Sequence, residues 1–156
     1  MKKLSRVLLL AVFCLSLFVV PSWAAESPAK AVITEMSGDA KVKMGDADWN
    51  AAEIGMVLPT GSSVKTGSGA MAVLSLEGGE EAAYVEVKEN SELKIAELFN
   101  QISEGSKKTL LDLAIGEILI TSKKLQTEKS KFEVKTPTSI VGVRGTTFSV
   151  SVETEK

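Results

Sequence analysis

The sequence contains no histidine, and Cys14 is its single cysteine. Without histidine there is no imidazole general base and no histidine-bound zinc centre. A lone thiol cannot form an intramolecular disulfide, so stability must come from packing and backbone hydrogen bonds. We therefore expect no catalytic residues, no cofactor and no zinc site.

The first 24 residues have the composition of a cleavable secretory signal peptide. Three basic residues precede an apolar run over 7–20, which is shorter than the roughly 20 residues that a helix needs to span a bilayer. Ser22 and Ala24 are the small residues that a signal peptidase requires before a cut between Ala24 and Ala25. The sequence predicts a helical signal peptide over 1–24, export to the periplasm or the cell exterior, and no stable membrane span after processing.

Removal of the signal peptide makes the protein more acidic. The chain has 18 basic and 20 acidic residues; the signal peptide holds three of the basic ones and no acidic one, so the remainder carries a net charge of −5. Nucleic acid is therefore not expected as a partner. Seven glutamates lie within 77–97 and seven lysines within 107–135. We interpret these blocks as solvated strand faces, and the alternative is a polar attraction within the fold or to a partner.

Short runs of alternating apolar and polar residues fill the chain from residue 31 onwards, interrupted by clusters of glycine, asparagine, aspartate or proline. This rhythm is typical of an all-β sandwich or roll. The sequence predicts one antiparallel β-sandwich or β-roll domain over 31–153, with about ten to twelve short strands. Residues 25–30 are short and polar and are predicted to be a tether.

Two glycine-containing turns predict particular hairpins, because glycine adopts the positive φ that tight reversals need. Ser37-Gly38-Asp39 separates the predicted strands 31–36 and 40–44. Gly116 separates the predicted strands 109–113 and 117–121. We expect each pair of strands to be hydrogen-bonded neighbours.

The segment FEVKTPTSIVGVRGTTFSV, residues 132–150, resembles the closing motif of the FecR domain family, the periplasmic sensor region of regulators of iron-siderophore uptake. The motif has an aromatic-x-Val strand, a Thr-Pro turn, an apolar strand, an Arg-Gly-Thr turn and a Phe-x-Val strand. The similarity extends upstream through 55–76 and covers roughly 32–152. The matching motif residues are Phe132, Val134, Thr136, Pro137, Gly142, Val143, Arg144, Gly145, Thr146, Phe148 and Val150.

We interpret most motif residues as structural. Pro137 lacks an N–H group and favours an extended Thr136, so the pair ends a strand. Gly142 or Gly145 would supply positive φ for a reversal before the last strand. Arg144 either ties loop carbonyls or a carboxylate into place or contacts a partner.

The resemblance implies a β-module for contacts in the bacterial cell envelope. The regulators of this family carry an anti-sigma domain before a membrane helix and a receptor-docking domain after the sensor region, and we expect neither here. The leading prediction is a non-catalytic, exported binding module that contacts another envelope protein through a sheet edge or a loop face. Its role would be in signalling or surface assembly, and its oligomeric state is left open.

Two other classes of function compete with this prediction. A glycan-binding or cell-wall-binding domain would use Trp49 and Tyr84 as stacking surfaces, although a lone tryptophan also serves as a lid on a core. The other function is an enzyme, either a carboxylate-based hydrolase or a metal-dependent one in which Asp39, Asp46 and Asp48 would bind Ca²⁺. These aspartates lack the glycine and the terminal glutamate of a calcium loop, and turn chemistry explains them. We therefore expect no metal site.

Overall fold

The computed structural model describes residues 27–76, 83–101, 106–122, 130–143 and 146–153. Those residues form strands, turns and bends and no helix, which confirms the predicted all-β fold. The predicted signal peptide with its cleavage bond between Ala24 and Ala25 lies outside these ranges. Arg144 and Gly145 of the motif lie outside them as well.

Thirteen strands are present in the described residues. They are β1 Ser27–Pro28, β2 Ala31–Ser37, β3 Ala40–Lys43, β4 Asn50–Ala51, β5 Val57–Leu58, β6 Ser63–Thr66, β7 Met71–Leu76, β8 Ala83–Val87, β9 Glu92–Gln101, β10 Ser106–Ser122, β11 Lys131–Lys135, β12 Ile140–Val143 and β13 Thr146–Val152. The count slightly exceeds the predicted ten to twelve, and β9 and β10 are longer than the short strands expected, with 10 and 17 residues.

The strands form one curled sheet with two halves that share β10. Half-sheet A has the order β4-β3-β6-β9-β10-β11-β12, and β1 pairs with the end of β9. Half-sheet B has the order β13-β10-β8-β7-β2-β5. Among the described pairs, β10 and β11 are parallel and the others are antiparallel.

A single hydrophobic core lies between the two half-sheets. Alternation along strands such as β7 selects the buried side chains: Ala72, Leu74 and Leu76 are buried there. Both halves contribute to the core, which the sandwich or roll prediction requires. The largest fully buried aliphatic side chains include Ile33, Leu58, Leu74, Leu93, Ile95, Leu111, Leu113, Ile118 and Ile120.

Part of the predicted tether over 25–30 lies in the sheet. Ser27 and Pro28 form β1, opposite Asn100 and Phe99 of β9, and Ala29 is buried. A proline is compatible with a short strand at a sheet edge, where its missing N–H need not be paired. The polar composition of this segment did not indicate a strand, and the pairing with β9 was therefore not predicted.

The hairpin predicted at Gly38 is wrong. β2 lies in half-sheet B, where it pairs with β5 and β7, whereas β3 lies in half-sheet A, where it pairs with β4 and β6. Gly38 has a φ of 75°, and a Cβ there would lie 2.9 Å from the Cα of Ala70. The positive φ therefore turns the chain from one half-sheet into the other instead of reversing it.

The hairpin predicted around Gly116 is also wrong, because both predicted strands belong to the single strand β10. Residues 108–112 pair with β11, and residues 116–122 pair with β13. Gly116 has a φ of 92°, and the pairing with β9 is irregular between Leu113 and Ile115. Glycine bends the strand at this irregularity and carries it from half-sheet A to half-sheet B.

Four such crossings lie side by side and form what we call the corner seam, residues 38–39, 66–70, 88–91 and 114–117. Each contains a residue with positive φ, namely Gly38, Gly69, Asn90 and Gly116. Backbone hydrogen bonds join neighbouring crossings: Gly67 N donates to Asp39 O, Asn90 N to Gly67 O, and Lys88 N to Glu117 O, at 2.9, 3.1 and 2.9 Å. The seam closes one end of the core.

Two hydroxyls complete the hydrogen bonding inside the seam. Buried Thr66 accepts a bond from Ser91 N at 3.1 Å and donates to Lys88 O. The Ser91 hydroxyl accepts from Glu117 N at 2.9 Å and lies 3.0 Å from Glu89 O and 3.2 Å from Glu117 O. Where the chain crosses from one half-sheet to the other, some backbone groups have no partner in the regular β-ladder. The hydroxyls of Thr66 and Ser91 provide hydrogen bonds for these groups.

Candidate interaction surface

The open edge of half-sheet A is formed by β12, which pairs with β11 and with no other strand that the structure describes. Ile140 is 65% exposed and Val141 is 36% exposed, whereas Val143 turns into the core. Proteins usually protect a sheet edge with charge, proline or a bulge. An exposed apolar edge is therefore a candidate for strand addition by a partner.

The turn between β11 and β12 is built by Thr136. Its N–H donates to Ser139 O at 2.8 Å, and its hydroxyl accepts from Ser139 N at 3.0 Å. Pro137 follows and cannot continue the strand. The Thr-Pro turn thus fixes β12 in register against β11, with Val134 opposite Val141.

The same register identifies the backbone groups that face the open edge. Hydrogen-bonded and non-bonded pairs alternate in an antiparallel ladder. Since Thr136 N bonds Ser139 O, the Val134–Val141 pair is bonded, and the neighbouring pairs that contain Ile140 and Gly142 are not. The N–H and C=O groups of Ile140 and Gly142 therefore point away from β11, toward an edge where no other described strand pairs with them.

Gly142 does not make the reversal that the sequence suggested. Gly142 lies inside β12, and its φ is not positive. A Cβ at this position would contact nothing within 4 Å. The structure thus assigns it no conformational requirement for glycine. A small residue here leaves the backbone of the edge strand accessible from one face.

The other motif residues that the structure describes lie on β11 and β13. Phe132 and Val134 of β11 are buried, and β13 carries Val150, which is buried, and Phe148, which packs partly against the core. Thr146 begins β13 and pairs with Ser122 of β10. The motif therefore builds the last strands of both half-sheets.

Trp49 and Tyr84 lie on different half-sheets. Trp49 is 37% exposed and immediately precedes β4 at the far edge of half-sheet A. Tyr84 is 48% exposed and lies on the outer face of β8 in half-sheet B. The structure does not bring them together as one stacking surface.

An open groove of about 840 Å³ runs along the corner seam. Glu86, Glu89, Glu117 and Glu153 line it together with Lys88. Three of these carboxylates already have partners: Glu86 pairs with Lys88, Glu89 accepts from Gly69 N, and Glu117 accepts from the Ser149 hydroxyl. The part of the chain described by the structure contains no group of three side chains arranged to hold a metal ion.

The outer face of half-sheet A carries ion pairs across neighbouring strands. They are Lys65 with Glu92, Lys108 with Glu97, and Lys135 with Asp112. The hydrogen bond and charge of Glu97 raise the pKa of Lys108. Of these pairs, Lys108 with Glu97 joins the glutamate block to the lysine block, and it lies on a solvated face.

The comparison with protein families gives one match, to the family described as FecR protein, over residues 62–156. This region is more than half of the chain and includes every residue of the closing motif. The chain belongs to the FecR family. Membership associates it with the cell envelope and suggests a signalling-related role.

The FecR match places β12 inside the family region and leaves Trp49 outside it, since the match begins at Ser62. Neither the curated proteins nor the solved structures contain a match to this chain. Within the described ranges of this FecR protein, no helix is long and apolar enough to cross a lipid bilayer.

Proposed function

We propose that this FecR-family protein is a non-catalytic, exported interaction module of the bacterial envelope, which binds an extended segment of a partner protein along β12. The observation that carries the proposal is the open backbone edge at Ile140 and Gly142, flanked by exposed Ile140 and Val141. Backbone pairing would provide affinity, and the apolar side chains would select the partner's sequence.

The other edges of the sheet favour strand addition less. β4 and β5 are two residues long, and β13 presents the polar side chains of Thr147, Ser149 and Ser151 to solvent. The exposed apolar residues around β4 and β5, such as Ile54, also lie outside the family match. These differences support β12 as the binding edge.

Composition supports the non-catalytic and exported parts of the proposal. The chain has no histidine, and its single cysteine lies in the segment predicted to be a signal peptide. The basic and apolar order of residues 1–24 supports delivery to the envelope, where the FecR family operates. Signalling and surface assembly are the two roles that such a module would serve.

Photocrosslinking in intact cells tests the proposal. A photoreactive residue replaces Ile140, and a matched variant carries it at Ile54, which is 62% exposed compared with 65% for Ile140. We expect a reproducible adduct of one size with an envelope protein from position 140 and none of that size from position 54. Equal adducts from both positions, or none from position 140, would refute binding at β12.

A further inference from the structure

The outer face of half-sheet B carries a continuous cross-strand row of uncharged side chains. Tyr84 of β8 is at its centre, opposite Ser75 of β7 on one side and Thr121 of β10 on the other. The row ends with Thr147 of β13 and, in the opposite direction, with Val32 and then Val57. Six strands at a spacing of about 4.8 Å make it roughly 24 Å long. We call this set the Tyr84 row.

The hydroxyl groups of the Tyr84 row have no hydrogen-bond partner in the part of the chain that the structure describes. Within the described residues, the hydroxyls of Ser75, Tyr84, Thr121 and Thr147 make no hydrogen bond to the protein. Tyr84, Thr121 and Thr147 are exposed and Ser75 is partly exposed. The row therefore presents four free hydroxyls around the ring of an aromatic residue.

On both outer faces of the molecule, charged side chains lie outside the Tyr84 row. Half-sheet A carries the ion pairs of Lys65, Lys108 and Lys135 with their acidic partners. The row next to the Tyr84 row consists of Glu35, Val73, Glu86, Leu119 and Ser149. It holds two glutamates: Glu35 is exposed, and Glu86 is bonded to Lys88. The Tyr84 row is thus a neutral strip, bordered on one side by Glu35 and Glu86, on an otherwise acidic protein.

We propose that the Tyr84 row binds a neutral, linear polysaccharide. A sugar ring has an apolar face of C–H groups that packs on an aromatic ring, and hydroxyls at its rim that bond to serine and threonine. The absence of charge matches an uncharged chain and disfavours nucleic acid or an acidic polymer, whose charges would find no cation in the row. This site is separate from the edge of β12.

Affinity electrophoresis of the purified domain tests this inference with four neutral polymers: amylose, mixed-linkage β-glucan, xylan and hydroxyethylcellulose. We expect at least one of them to retard the wild-type protein. Tyr84→Ala should weaken that binding about tenfold, because it removes the aromatic platform, and Thr121→Val should weaken it several-fold, because it removes a hydroxyl without changing the shape.

Trp49→Ala is the matched control, since it removes an exposed aromatic residue from outside the row. It should leave retardation unchanged, and circular dichroism should show that every variant is folded. Absence of retardation by all four polymers would overturn the inference, as would equal retardation of wild type and Tyr84→Ala. Because β12 is intact in these variants, neither result bears on strand addition.

Discussion

Replacing Gly116 by alanine should destabilise the fold by about 3 kcal/mol or more. A φ of 92° is unfavourable for alanine by about 1–2 kcal/mol. The added Cβ would also lie 2.5 Å from the Cα and 2.6 Å from the Cβ of Ser91, which costs about 1–3 kcal/mol in displaced backbone. Urea denaturation followed by circular dichroism measures this loss.

Gly61→Ala is the matched control for the contact with Ser91. Gly61 has a φ of 89°, but a Cβ there meets no atom within 4 Å. We expect this variant to lose only the conformational part, about 1–2 kcal/mol. Equal losses of stability from the two alanine variants would contradict this account, because they would show that an added Cβ at position 116 does not clash with Ser91.

The second large effect is expected at Leu111, which is fully buried in β10 between Ile95 of β9 and Val134 of β11. Leu111→Ala should cost about 2–5 kcal/mol, because it removes buried methyl groups and leaves a cavity. The free energy of unfolding in urea gives the value.

Leu110→Ala provides the comparison, since Leu110 is the preceding residue and faces outward from the same strand with partial exposure. Its truncation should cost less than about 1 kcal/mol. A shift of β10 by one residue would exchange the two faces. A larger loss from Leu110→Ala than from Leu111→Ala would therefore show that the register is wrong.

Period-two patterning predicted the strands because it depends only on local sequence. Val85 and Val87 are buried and Tyr84 is exposed, as the alternation requires. The turns at Gly38 and Gly116 were misassigned for a physical reason. A glycine with positive φ allows the chain to change direction, but the contacts with Ala70 and Ser91 decide whether it reverses or crosses to the other half-sheet.

The candidate surfaces were less predictable from the sequence than the strands. Ile140 and Val141 form an apolar run, which in a sequence is typical of a buried strand. Their exposure follows from the position of β12 at the end of half-sheet A. Likewise, the hydroxyl-bearing neighbours of Tyr84 lie on strands that are distant in the chain, so no local sequence pattern predicts the Tyr84 row.

The most direct test of strand addition at β12 compares Gly142→Pro with Gly142→Ala, each carrying the photoreactive residue at position 140. Proline removes an N–H that faces the open edge and leaves the bonds between β11 and β12 intact, and alanine keeps that N–H. The comparison requires variants with equal melting temperatures. We predict that Gly142→Ala gives nearly the same adduct yield as the photoreactive protein with Gly142 unchanged. The adduct yield of Gly142→Pro should fall at least about tenfold. Equal adduct yields from the two variants would contradict the account.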